Sequence, residues 1–136
     1  MTQPQNPSLL AEITASFRAL PTWVIAWVFL TLAPVNAASL AFLDQPSGAY
    51  VALLAIGGGV ISLAIAIKSR GLTRLVSAGH IIAWTPLLLW LVLAPPPAEG
   101  AYDTYLTILI VVNAISLAFD VNDARLWLRG DRSVYA

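Results

Sequence analysis

Four long apolar runs separated by short connectors constrain this chain more than any other feature. They lie at 22–43, 49–67, 72–94 and 104–121, and each matches the roughly 20 residues that a helix needs to cross about 30 Å of hydrocarbon. The runs lack the alternating pattern of a barrel strand, and backbone in lipid is satisfied only by helices or closed barrels, so helices are predicted. The connectors, Asp44 to Gly48, Lys68 to Gly71 and Pro95 to Asp103, are too short to hold a soluble catalytic domain. They make consecutive helices antiparallel neighbours. The expected fold is an all-α integral membrane protein, an antiparallel up-down bundle of four transmembrane helices spanning 22–121. An N-terminal segment (1–21) precedes it and a C-terminal tail (122–136) follows. Composition agrees: 59% of residues are hydrophobic and 10% charged, whereas soluble domains average roughly 45–50% and about 25%.

Orientation follows from the cations, because Lys and Arg near span ends are retained in the cytoplasm. Arg18, Lys68, Arg70, Arg74, Arg125, Arg129 and Arg132 all fall on one side of the four runs, and the other side carries Asp44, Glu99 and Asp103. Both termini are therefore expected inside, in a bacterial-type cytoplasmic (inner) membrane, as an even number of spans also requires. Trp23, Trp27 and Trp127 mark the inner interface and Tyr50, Trp90, Tyr102 and Tyr105 the outer one, with Trp84 near mid-span. Arg18, the apolar run from Trp23 and Val35-Asn36-Ala37 imitate a signal-peptide cleavage site. The apolar length of the first run exceeds an ordinary signal core, so it is read as a retained span. Leu9, Leu10, Ile13, Phe17 and Leu20 recur at helical spacing behind Ser8, a ready N-cap, and predict a short interfacial helix.

Seven cations balance seven anions, and the chain holds one His and no Cys. A net charge of zero removes the footprint of nucleic-acid binding. The chain alone cannot form a thiolate nucleophile, a Cys-based zinc site or a bis-His haem clamp. No catalytic residue, metal ligand or cofactor is assigned. The informative residues are polar ones inside the apolar runs, each of which costs free energy there and normally faces a partner. Asn36 and Ser39 share a face of the first run, Ser77, His80 and Trp84 a face of the third, and Asn113, Ser116 and Asp120 a stripe of the fourth. Counting 1.5 Å per residue places His80 level with Ser116. These groups read either as interhelical glue or as a polar track from Asn36 and Ser39 through Asn113 to His80 and Ser116, ending at Asp120 and Arg74. Along such a track His80 would relay a proton. Asp120 and Asp123 are expected to pair with Lys68, Arg70 and Arg74.

Gly57, Gly58 and Gly59 are costly in a helix. Gly58, Ser62 and Ala66 form a ridge of small residues, as do Ala55 and Gly59, so the four residues Gly57, Gly58, Gly59 and Ser62 are read as helix-packing positions. Pro34 and Pro86 are expected to kink their spans, with Thr31 and Thr85 as partners for freed carbonyls. Pro34-Val35-Asn36, Ser39-Leu40-Ala41-Phe42-Leu43-Asp44, and Ile115-Ser116-Leu117-Ala118-Phe119-Asp120 through Trp127 and Arg129-Gly130-Asp131-Arg132 resemble phrases in small uncharacterised four-span inner-membrane proteins of proteobacteria. The resemblance implies the four-span topology and a bacterial origin, and no activity. The functional expectation is a non-enzymatic accessory or structural subunit, partnered by the lipid bilayer and by copies of itself or other membrane subunits. The alternative is a small oligomeric transporter or channel with its polar track through His80.

Overall fold

The computed structural model describes residues 5–136; the first four residues of the expected 1–21 segment lie outside them. Five helices account for the regular structure, α1 Leu9–Arg18, α2 Thr22–Phe42, α3 Gly48–Lys68, α4 Arg74–Leu93 and α5 Gly100–Leu128, and the described residues contain no strand. The last four are long and apolar enough to cross a membrane. They run two or more residues off the expected bounds at several ends. The start of α5 differs most, at Gly100 in place of 104, and the helix runs on past Val121 to Leu128 as a polar extension.

The helix ends follow from local chemistry. At the start of α1 the Ser8 hydroxyl accepts the Ala11 N–H at 3.2 Å, with Glu12 in the first turn. At the end of α5, Gly130 adopts φ 106°, while the Asp131 and Gly130 amides donate back to the Leu126 and Trp127 carbonyls, a Schellman closure. The same closure ends α3 through Gly71 to Ala66 and Arg70 to Ile67. There the left-handed position is Arg70, at φ 54°, where glycine is usual. Its guanidinium pairs with Glu12 at 2.6 Å, which joins the α3–α4 turn to α1. Ser16, 2% exposed, completes that joint by accepting the Leu72 N–H at 2.9 Å.

The pair α3–α4 packs closely because small residues face each other. Ala55, Gly58, Ser62 and Ala66 are buried on α3; Gly79 and Ala83 are buried on α4. A Cβ on Gly58 would lie 2.5 Å from the Trp84 indole nitrogen, and one on Gly79 would lie 2.5 Å from the Ser62 backbone nitrogen. Two of the expected packing positions are corrected here. A Cβ on Gly57 or Gly59 would meet nothing within 4 Å, since successive residues on a helix point in different directions and only one of three adjacent glycines can face a given neighbour.

Helix α2 is irregular. It passes from α-helix (Thr22–Trp27) through a π-helical turn (Val28–Leu32) and a short α stretch (Ala33–Ala37) into a 3-10 turn (Ala38–Phe42). Pro34 supplies no N–H to the carbonyl four residues earlier and its ring crowds that carbonyl. The wider π turn, closed by the Ala33 N–H on the Val28 carbonyl, relieves both. The side chain that reaches a carbonyl in this stretch is Asn36, which donates to Leu32 O at 2.9 Å, in place of the expected Thr31. Pro86 sits within the continuous α-helix Ser77–Leu93.

At the end of the bundle away from Arg74, Phe42 stacks on Tyr102 and Tyr105 at centroid distances of 5.4 and 4.8 Å. The two phenols donate to Pro46 O at 2.9 Å and Val35 O at 2.8 Å. Large flat side chains with satisfied hydroxyls thus fill the space between α2 and α5 there.

Candidate functional site: a chamber at the charged end

At the opposite end the packing opens into a cavity of about 360 Å³ between the start of α2, the start of α4 and the end of α5. On the α2 side the first turns, Thr22–Trp27, hold no fully buried residue, in contrast to the closely packed α3–α4 pair. Apolar walls come from Val24, Val28 and Leu32, and aromatic ones from Trp23, Trp27 and Phe119. The polar floor is made by Arg74, Ser77 and His80 of α4 and by Ser116, Asp120 and Asp123 of α5.

Each polar group is held by a definite neighbour. The Ala55 carbonyl accepts the Trp84 indole N–H at 3.0 Å, in the gap that Gly58 leaves. The His80 ring lies parallel on that indole, 4.1 Å between centroids and 1° between planes. This fixes the imidazole with Nδ1 at 3.2 and 3.3 Å from the two Asp120 carboxylate oxygens. Trp27 donates its indole N–H across the chamber to Ser116 Oγ at 2.9 Å. At the mouth, Arg74 pairs with Asp123 and, through Nε, with Asp131 at 2.7 Å. The guanidinium's hydrogen bond holds the Asp131 carboxyl below the usual carboxylate range. The C-terminal tail folds back to make this contact, with the Tyr135 N–H on Leu72 O at 2.9 Å and the Tyr135 ring 5.7 Å from the Arg74 guanidinium carbon. Burial pushes the Tyr135 phenol up.

The residues grouped as a track in the sequence fall into two groups, Asn36, Ser39 and Asn113 at mid-bundle and Arg74, Ser77, His80, Ser116 and Asp120 at the chamber. Asn36 and Asn113 exchange two reciprocal amide hydrogen bonds, both 2.9 Å, and are 6% and 0% exposed. Ser39 turns back on its own helix to Asn36 O at 2.6 Å, and Ser77 likewise to Arg74 O at 2.7 Å, as short hydroxyls in helices do. Ser62 donates to Val76 O at 2.7 Å. His80, expected level with Ser116, meets Asp120, one helical turn further along α5, and all three line the same chamber. The expected pairing of Asp120 with cations is likewise corrected: Asp120 takes His80, and Arg70 takes Glu12.

No protein-family model, curated protein or solved structure matches the chain. The residues and their geometry therefore carry the functional argument. Among the described residues no group of three His, Asp or Glu side chains is placed to hold a metal ion. The chemistry within reach is narrower. An imidazole on a carboxylate holds or releases one proton, and a carboxylate facing a largely apolar cavity attracts positive charge.

Sequence reasoning missed five contributors. Thr73 lines the chamber at 7% exposure, and its hydroxyl has no hydrogen-bond partner; it sits in a connector, outside the stretches where buried polar groups were sought. Asp131 and Tyr135 lie in a tail with no periodic pattern. Trp27, read as an interface marker, is a cross-bundle donor. Gly79 was legible in principle, since Gly79 and Ala83 are four residues apart and repeat the small-residue spacing already noticed on α3.

Proposed function

We propose that the chain is a non-enzymatic, four-span protein of a bacterial cytoplasmic membrane, with both termini cytoplasmic, that acts as an accessory subunit or self-associating bundle. The reciprocal Asn36–Asn113 lock carries this reading. It joins α2 to α5 across the bundle, spends the polar groups of mid-bundle on each other, and stands beside the Phe42–Tyr102–Tyr105 cluster that fills the far half. An interior closed in this way supports a packed scaffold better than a conduit. The perimeter agrees: Leu30, Leu53, Leu63, Leu89 and Val111 are all exposed apolar side chains on the four long helices, a surface suited to lipid or to other membrane helices. The one-sided distribution of cations favours the inside placement of both termini.

The test is native mass spectrometry of the protein extracted with its lipid. Small integer multiples of 14.5 kDa or a fixed stoichiometry with other chains is expected; a strictly solitary protomer overturns the reading. A second reading, a small transporter, draws on the His80–Asp120 pair at the chamber. It requires the Asn36–Asn113 lock to open during each cycle.

A further inference from the structure

We propose that the chamber at the charged end is a binding site for a hydrophobic organic cation of the aryl-alkyl ammonium class, its charged head directed to Asp120. Three features of the chamber converge on this chemistry.

The first is size and wall chemistry. A cavity of about 360 Å³ lies within the range of small-molecule sites, roughly 300–1,000 Å³, which are mostly apolar with a few convergent polar groups. The second is charge. Arg74, the guanidinium lining the cavity, is already matched by Asp123 from α5 and Asp131 from the tail. Asp120 faces only the imidazole of His80 from α4, and α2 contributes no ionisable group to the lining. Carboxylates thus outnumber the guanidinium, and an anion would meet repulsion at the floor. The third is the aromatic wall. Trp23 and Trp27 present indoles to the cavity, and indole faces attract cations by about 0.5–2 kcal/mol. Trp23 and Phe119, 57% and 51% exposed, pack against each other with 5.6 Å between ring centroids and extend this aromatic wall along the α2–α5 side of the chamber. The π-helical turn Val28–Leu32 forms part of the same wall, and such turns recur at functional sites.

The inference rests on the chamber alone and stands or falls separately from the subunit reading. The test uses the full chain in detergent micelles, titrated with benzyltrimethylammonium, with neutral benzyl alcohol and with anionic benzenesulfonate, followed by tryptophan fluorescence and calorimetry. The cation is expected to bind about tenfold or more tighter than either control, and Asp120→Asn is expected to erase that preference. Equal binding of the three probes by the native chain overturns the proposal, as does a preference for the sulfonate. So does a cation preference unchanged in Asp120→Asn. The comparison of probes on the native chain decides the matter even if Asp120→Asn does not fold.

Discussion

Replacing Gly79 by Ala should destabilise the bundle, whereas the same replacement at Gly59 should not. The added Cβ at position 79 would stand 2.4 Å from Ser62 Oγ, 2.5 Å from the Ser62 backbone nitrogen and 2.9 Å from its Cα. Ordinary contacts of a Cβ begin near 3.4 Å, so α3 and α4 must separate by about 1 Å, because the obstruction is backbone and cannot swing aside. Overpacking of this kind costs about 1–3 kcal/mol. The hydroxyl of Ser62 is anchored on Val76 O, and its displacement forfeits about 1 kcal/mol more. Against this, Ala gains up to about 1 kcal/mol over Gly in helix propensity. The net expectation is a loss of about 2 kcal/mol for Gly79→Ala, and a gain of about 0.5–1 kcal/mol for Gly59→Ala, where the methyl group meets open space. Reversible unfolding in mixed micelles with sodium dodecyl sulfate, followed by circular dichroism, reads both. If the two variants shift stability in the same direction and by similar amounts, the close approach of α3 and α4 is not what holds this pair together.

Two further perturbations probe the other joints. In a double-mutant cycle of Asn36→Leu and Asn113→Leu, the two reciprocal bonds should give a coupling energy of about 1 kcal/mol, from roughly 0.6 kcal/mol per interhelical bond; strictly additive losses would show that the amides do not act as a pair. For the tail, the folded-state acidity of Asp131 is lowered by Arg74, so its contribution is fully present above the unfolded carboxylate value near 3.9 and is lost as pH falls through the lower folded value. Hydrogen exchange at the Tyr135 amide, bonded to Leu72 O, should therefore stay slow until the pH drops below the ordinary carboxylate range, and its release at higher pH would contradict the tie.

The sequence disclosed those features that depend on period and composition. Run length and hydropathy fix where α2 to α5 lie, and Ser8 marks the start of α1, because a cap acts within one turn of the chain. Register between helices was only partly legible. The Asn36–Asn113 contact joins residues 77 apart, and nothing local distinguishes it from Asn36 meeting another polar group at similar depth. Depth counting brought His80 level with Ser116 and ended the track at Asp120, but which of the two the imidazole meets depends on side-chain direction and helix tilt, and counting along straight helices supplies neither. The three consecutive glycines show the same limit: composition marks the stretch as special, but which one faces a neighbour depends on rotation about the α3 axis.

The chamber follows from an asymmetry that no single helix carries. Small residues draw α3 and α4 together until Gly58 touches an indole and Gly79 a backbone, which leaves no interior space on that side. On the other side α2 meets α5 through Trp27, Phe42, Tyr102 and Tyr105, bulky groups that hold the helices apart, and the Pro34-induced π turn changes the course of α2 just where the charged residues begin. The far half is filled by stacked rings. The near half is not, since the side chains pointing into it, His80, Ser116 and Asp120, are engaged with one neighbour each and are too short to fill the remaining volume. A packed interface and an open one on opposite sides of the same bundle place its cavity and its carboxylate together, and they make α2 the element whose displacement would most readily enlarge or close the site.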